Sequence, residues 1–304
     1  MSKSRIIVIG SSNIDMVIRT DCFPKPGETI LGGDFFMNQG GKGANQAVAA
    51  ARLGGDVLFV SSVGNDIFGK MTLQSLQQEG VDVEYIRIDS GSPSGIAIIT
   101  VDRNGENNIV VAPGANSTLS PTDIQRVEHL IEEGSFMLMQ LEIPIQTVEY
   151  VVSKTINRGA KVILNPAPAQ DLSQLLLSQI YLLTPNEEEA SLLSGISVHD
   201  VSSAREAARN LTERGVQNVI ITMGAKGALA LYEGEYIYME AQKVTALDTT
   251  AAGDVFNGAL FVALNGGKSI REALKFAGQA SAIAVTRLGA QSSSPYLDEI
   301  ENRY

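Results

Sequence analysis

An acid at the mouth of an apolar helix is the clearest chemical feature of this chain. Residues 246–264 read ALDTTAAGDVFNGALFVAL. A polar turn, Asp248-Thr249-Thr250, leads into Ala251, Ala252 and Gly253, and Asp254 then opens a nearly all-apolar run. Backbone N–H groups in a first helical turn lack intrahelical acceptors, and the helix dipole adds positive potential there. A carboxylate beside such donors can accept a proton while the donors hold an anion. In that field the carboxylate is expected to stay ionised at neutral pH. So weak a base suffices where the proton leaves late, as in phosphoryl transfer. A first-turn aspartate is also an ordinary cap, but one glycine and two alanines ahead of it clear more space than a cap needs.

Three other groups could join such chemistry. Gly40–Asn45 reads GGKGAN and opens a small-residue helix. It lacks the phosphate-loop pattern, since Gly43 follows Lys42. A glycine turn of this kind either packs against a hydroxylated ligand, with Lys42 and Asn45 as donors, or is simply tight. Asn186 and Glu189 stand three apart at a helix start and share a face. They can hold hydrated magnesium beside phosphates, or they are ordinary acid enrichment at a helix N-terminus. Thr222-Met223-Gly224-Ala225-Lys226-Gly227 is a strand-to-turn element with free N–H groups and a lysine. It fits a phosphate contact or a plain turn.

These groups need a scaffold that brings them together. Residues 5–10 (RIIVIG) read as a buried first strand, ending at Asn13 and Asp15, and 31–38 as a further short strand. Residues 95–101 and 108–112 flank DRNGEN, a hairpin signal. Both faces of its first arm are apolar, which predicts either that both are covered, one by another subunit, or that the arm lies in a central sheet. From 121 onward, helical and strand patterns alternate, starting with a helix over 121–133 and ending with one over 270–286. The predicted fold class is α/β and Rossmann-like. A mostly parallel central sheet is covered by helices on both faces, and a small β-sheet lid comes from about 14–38 and 95–112. One domain is expected to span 1–304. Ligands in such folds sit beyond the C-terminal strand ends, where Asn13, Asp15, Glu142, Asn165, Asn186 and Thr222 collect.

Composition narrows the partners. Net charge is −11, from 23 basic and 34 acidic residues. Nucleic acid and anionic membrane are poor partners for it, and no run approaches the length of a membrane span. Cys22 is the only cysteine and there are two histidines. That argues against disulfides, zinc and a histidine-based triad. The apolar run at the N-terminus is too short for a signal peptide, so a cytoplasmic, reducing compartment is expected. The first strand ends Gly10-Ser11-Ser12-Asn13 without a GxGxxG fingerprint. This weakens an NAD(P)-dependent oxidoreductase. An intact Asp254 segment argues against a non-catalytic sugar-binding regulator.

Taken together, GGKGANQAVAAARLG at 40–54 and DTTAAGDVFNGAL at 248–260 resemble the ribokinase family of carbohydrate kinases. The shorter stretches NPAPA at 165–169, TPNEEEA at 184–190 and TRLGAQSS at 286–293 agree. The resemblance implies ATP-dependent phosphorylation of the 5-hydroxyl of D-ribose, or action on a close relative such as 2-deoxyribose or a nucleoside. Asp254 would be the base, and the backbone of Ala251, Ala252 and Gly253 the anion hole. Asn13, Asp15, Gly41, Lys42, Asn45 and Glu142 would bind the sugar. Asn186 and Glu189 would organise Mg2+. Thr222, Gly224, Ala225, Lys226 and Gly227 would meet the nucleotide, with Asn257 and Gln279 on its adenine side. A K+ ion would take Asp248, Thr250 and carbonyls near Val285, Leu288 and Ala290. The lids of two subunits would pair in a homodimer.

Overall fold

The computed structural model describes residues 5–303. Its strands are β1 (Ile6–Ile9), β2 (Asn13–Arg19), β3 (Phe35–Gly40), β4 (Val57–Gly64), β5 (Ile86–Asp89), β6 (Gly95–Val101) and β7 (Asn107–Ala112). Further along come β8 (Phe136–Met139), β9 (Lys161–Leu164), β10 (Leu182–Leu183), β11 (Asn218–Thr222), β12 (Ala228–Tyr232) and β13 (Glu235–Met239). The helices are α1 (Lys42–Arg52), α2 (Ile67–Gln78), α3 (Pro121–Gln125), α4 (Ile145–Asn157) and α5 (Gln174–Leu177). They continue as α6 (Glu187–Ser194), α7 (Val201–Glu213), α8 (Ala252–Asn265), α9 (Ile270–Ala284) and α10 (Leu297–Glu301).

A nine-stranded sheet runs β13-β12-β11-β10-β9-β8-β1-β4-β5. Pairing is parallel from β11 to β5 and antiparallel at β11–β12 and β12–β13. Strand alternation sorts the core onto two faces. Ile6 and Val8 of β1 pack with α1, α8 and α9, while Ile7 and Ile9 pack with α4 and α7. This is the expected helix-covered α/β sheet.

The lid is a separate four-stranded sheet, β3-β2-β6-β7. The predicted hairpin is β6–β7, with Val101 opposite Asn107 and Gly105 at φ 82° in the turn. It does not enter the central sheet. Ala97 faces inward and is buried, but Ile98, Ile109, Val110 and Val111 are exposed in the single chain. Phe35, Phe36 and Met37 of β3 are exposed as well.

Two element boundaries differ from the sequence pattern. The strand expected over 31–38 starts four residues later and runs to Gly40, where β3 pairs antiparallel with β2. A single helix over 121–133 is not formed. Ser120 and Asp123 make a capping box that starts α3, but Val127 takes φ −109° and the chain tightens into a 3-10 turn at Glu128–Leu130. Ile124, Val127 and Ile131 are buried all the same. The apolar spacing therefore reported burial correctly and backbone continuity wrongly.

Helix α1 is anchored at both ends. At its start Gly41 has φ 87°, and a Cβ there would lie 2.6 Å from Ser12 Cα. Only glycine allows that backbone-on-backbone contact with the end of β1. At its finish Arg52 makes a bidentate ion pair with Glu79, 2.7 Å on each arm. It also donates to the carbonyls of Gln291 (2.8 Å) and Ser294 (2.7 Å). Along its length α1 packs on α8, where a Cβ on Gly258 would meet Ala49 Cβ and Gln46 O at 2.8 Å. That close approach puts the α1 side chains against the first turn of α8.

Candidate active site

Ala251 caps α8 in the left-handed region at φ 58°, a conformation that costs an alanine about 1 kcal/mol or more. It turns the chain so that the first-turn N–H groups face outward. Among the described residues the N–H groups of Ala251, Gly253 and Asp254 have no acceptor in the chain, whereas that of Ala252 bonds to Thr249 O at 3.2 Å. Of the three expected anion-hole donors, then, Ala252 is engaged and Asp254 adds its own. A Cβ on Gly253 would meet no atom within 4 Å, so it is open space rather than packing that this glycine leaves free.

Asp254 is 7% exposed. Asn45 Nδ2 donates to its Oδ2 and Gln46 Nε2 to its Oδ1, both at 2.9 Å. Burial pushes its pKa upward, against the pull of Lys42 and these two amides. Burial therefore works against the ionisation expected of a helix-terminal carboxylate, while the two amide donors favour it. Asp254 is buried in the first turn of α8, and its desolvation outweighs Lys42 and the two amides.

Around it lies a cluster of charge. Asp15 on β2 is pushed up to about 7 by burial, then by Glu142 and Asp254. Burial alone would lower the Lys42 ammonium, but Asp254, Glu142, Glu189 and Asp15 outweigh it and hold it above its ordinary value. Glu142 accepts from Lys42 N at 3.0 Å and from the Ser11 hydroxyl. Asn13 is buried, and its Oδ1 accepts from Asn116 Nδ2 at 2.8 Å, which leaves its own NH2 to donate. Asn116 also bonds both backbone groups of Ser12 at 2.9 Å.

A cavity of about 180 Å³ opens beside Asp254. Lys42, Asn165, Thr184, Asn186, Glu189, Thr222, Thr249, Asn257 and residues 251–254 line it. Asn186 and Glu189 form a capping box: Glu189 Oε2 accepts from Asn186 N (2.9 Å), and Asn186 Oδ1 from Glu189 N (2.8 Å). Burial raises Glu189 to about 6. The pair caps α6, and both residues also line the cavity.

Other predicted residues lie elsewhere. Gly224, Ala225, Lys226 and Gly227 are outside the cavity lining. Lys226 Nζ is bound to Glu187 (2.8 Å) and to His199 O (2.7 Å). Gly227 is required by close contact with Met239 O. Gln279 is buried within α9. Asp248, Thr250 and residues 285–290 do come together: Asp248 accepts from Thr250 N and Gly289 N, each at 2.9 Å. The Val285 carbonyl, however, already accepts from Leu247 N and Asp248 N, and the Ala290 carbonyl accepts from Ser293.

The pfkB family carbohydrate kinase model matches residues 3–297. The chain belongs to this family. It is similar to a ribokinase of Haemophilus influenzae, 46% identical over 98% of this chain and 97% of that one. A deoxyribokinase of Salmonella typhi is 38% identical, with 98% of each chain covered. The solved structure of Arabidopsis thaliana ribokinase complexed with ribose and ATP superposes with a TM-score of 0.91 at 32% identity, covering 98% of each chain. As a pfkB family carbohydrate kinase, the protein transfers phosphate from ATP to a sugar. Within this pfkB chain, sequence reading missed Ser11, Gln46, Asn116 and Gln140. Gln46 carried one available signal, because it directly follows Asn45 in the glycine-led motif.

Proposed function

We propose that this kinase phosphorylates the primary 5-hydroxyl of D-ribose, giving D-ribose 5-phosphate and ADP. The observation that carries the reading is the meeting of a buried carboxylate, Asp254, with unpaired N–H groups at the start of α8. Asp254 accepts the hydroxyl proton as the sugar oxygen bonds the γ-phosphorus. The bond from that phosphorus to the bridging oxygen breaks, and its electron pair leaves with ADP. The N–H groups of Ala251, Gly253 and Asp254 hold the oxygens of the transferring group. Lys42, with its charge secured by four carboxylates, balances the added negative charge.

The sugar reading rests on Asn13, Asp15, Lys42, Asn45 and Glu142. Asp15 and Glu142 can accept and Asn13, Lys42 and Asn45 can donate, as a polyol requires, and there is no arginine among these five. Asp15 as an acceptor favours ribose over its 2-deoxy analogue. The similarity to a deoxyribokinase keeps deoxyribose as the second reading. Glu189 and Asn186 suit a hydrated magnesium ion, since their bonds to one another leave carboxylate lone pairs facing the cavity. When bound, that ion would neutralise phosphate charge. The potassium fit is partial. Asp248 would supply its charge although both its oxygens accept backbone N–H groups, and the Val285 and Ala290 carbonyls are engaged, so no step is routed through that ion.

The exposed apolar strands of the lid fit pairing of two lids in a homodimer. No helix among the described residues is long and apolar enough to cross a membrane. We keep a cytoplasmic location as part of the proposal.

A panel of pentoses, hexoses and nucleosides with ATP and magnesium tests the assignment. Ribose is expected to give the highest kcat/KM, and equal or better use of 2-deoxyribose would move the assignment to the deoxy sugar.

A further inference from the structure

A closed hydrogen-bonded circuit joins the proposed base to the first turn of its own helix. Gln46 is fully buried on α1. Its Nε2 donates to Asp254 Oδ1 (2.9 Å) and to Asn165 Oδ1 (3.0 Å), and its Oε1 accepts from Gln140 Nε2 (2.6 Å). Asn165 Nδ2 donates to the Thr184 carbonyl at 3.0 Å. Thr184 Oγ1 donates to Asn257 Oδ1 (2.6 Å), and Asn257 Nδ2 to the Gly253 carbonyl (2.8 Å). The path leaves Asp254 and returns to its neighbour.

The direction of every amide in this path is determined. A backbone carbonyl can only accept, so Asn165 turns its NH2 to Thr184 and its oxygen to Gln46. Gln46 must then present its NH2, which is also what an ionised Asp254 requires. Turned over, Gln46 would set its oxygen against two acceptors. Its own oxygen therefore faces Gln140, which donates. The glycine at 258 brings α1 close enough for this contact.

We propose that Gln46 is a positioning residue that locks the Asp254 carboxylate and couples it, through Asn165, Thr184 and Asn257, to the first turn of α8, which carries the anion-binding N–H groups. This rests on the reading of Asp254 as the base. Gln46 donates only to the carboxylate and to the circuit, so its effect falls on turnover rather than on substrate binding. A donor to the ionised form also opposes the burial that favours the acid.

Gln46→Met keeps the length of the side chain and removes the donor. Its kcat should fall about 10–100-fold, with KM for sugar and ATP within about threefold. The acid limb of its kcat–pH profile should move to higher pH. Gln140→Met loosens only the partner of Gln46, and should shift the limb the same way with a fall of about 3–10-fold. Wild-type kcat and an unmoved limb in Gln46→Met would overturn the proposal, as would a rise in KM alone. If Gln46→Met shows no cooperative melt, Gln140→Met decides, and an unmoved limb there overturns it. Asp254→Asn separates the two claims. If it retains turnover, the base reading fails. If it is inactive while Gln46→Met is normal, only the role of Gln46 falls.

Discussion

The two sides of the crevice are built differently. On the proposed sugar side, Asn13, Glu142 and Asp254 accept hydrogen bonds from residues remote in sequence, Asn45 donates to one, and Asp254 is almost wholly buried. On the proposed nucleotide side, the Gly224–Lys226 turn and the Asp248–Thr250 loop are largely exposed, and each is tied to the rest of the chain at few points, Lys226 to Glu187 and His199 O, Asp248 to Gly289 N. A fixed constellation can discriminate hydroxyls because an unmatched buried group costs about 1–3 kcal/mol. Open turns can hold phosphates with backbone donors but discriminate little. On the proposed reading, specificity for the sugar is prearranged, and the fit to the nucleotide is left to loops.

The comparison predicts large effects on the first side and small ones on the second. Asp254→Asn should lower kcat by at least roughly 100-fold with binding of sugar and ATP retained, as titration of each ligand would read. Near-normal turnover would place the chemistry elsewhere. Asp15→Asn should raise KM for the sugar roughly tenfold. It should also make the free protein melt higher at pH 8. Folded Asp15 binds its proton up to about 7 against an ordinary value of 3.8. Ionisation therefore weakens the fold as pH rises through that window, and asparagine escapes the penalty. The gain should be a few degrees at pH 8 and vanish near pH 4; a lower melting point at pH 8 would contradict the burial argument. The acid limb of wild-type kcat should lie above the ordinary carboxylate range, following the upward shift of Asp254. A smaller effect, a few-fold stimulation by potassium over sodium or choline, is expected from the Asp248 loop, and cation-independent rates would remove that ion site. Smallest of all, Lys226→Ala should change KM for ATP by less than about twofold, because its ammonium is bound to Glu187. A tenfold loss would show that the nucleotide side is more specific than its geometry implies.

The same contrast governs what could be read from the sequence. Asp254 was legible because its signal is local: small residues, an acid, then an apolar helix. The parallel sheet was legible from the alternation of strand and helix patterns. Gln46 was not, because it sits among alanines and its partners Gln140 and Asn165 are 94 and 119 residues away. Asn116 was hidden in the same way, 104 residues from the backbone it pairs with. The partners of Lys226, Glu187 and the His199 carbonyl, lie 39 and 27 residues away, so a lysine in a glycine turn looks free in the sequence. The break after α3 was missed because apolar spacing reports which side chains are buried, not which hydrogen-bond ladder the backbone keeps.

The Arg52 anchor has a mechanical meaning. Helix α1 behaves as a beam fixed at both ends, by the Gly41 contact at one and by Glu79 and the carbonyls of Gln291 and Ser294 at the other. Lys42, Asn45 and Gln46 ride on its near end. A small roll of the beam about its axis would swing all three away from Asp254 together. The segment around 291–294 therefore acts as a torsional brace for the sugar end of the crevice. Loosening it should blunt catalysis while the central sheet stays folded.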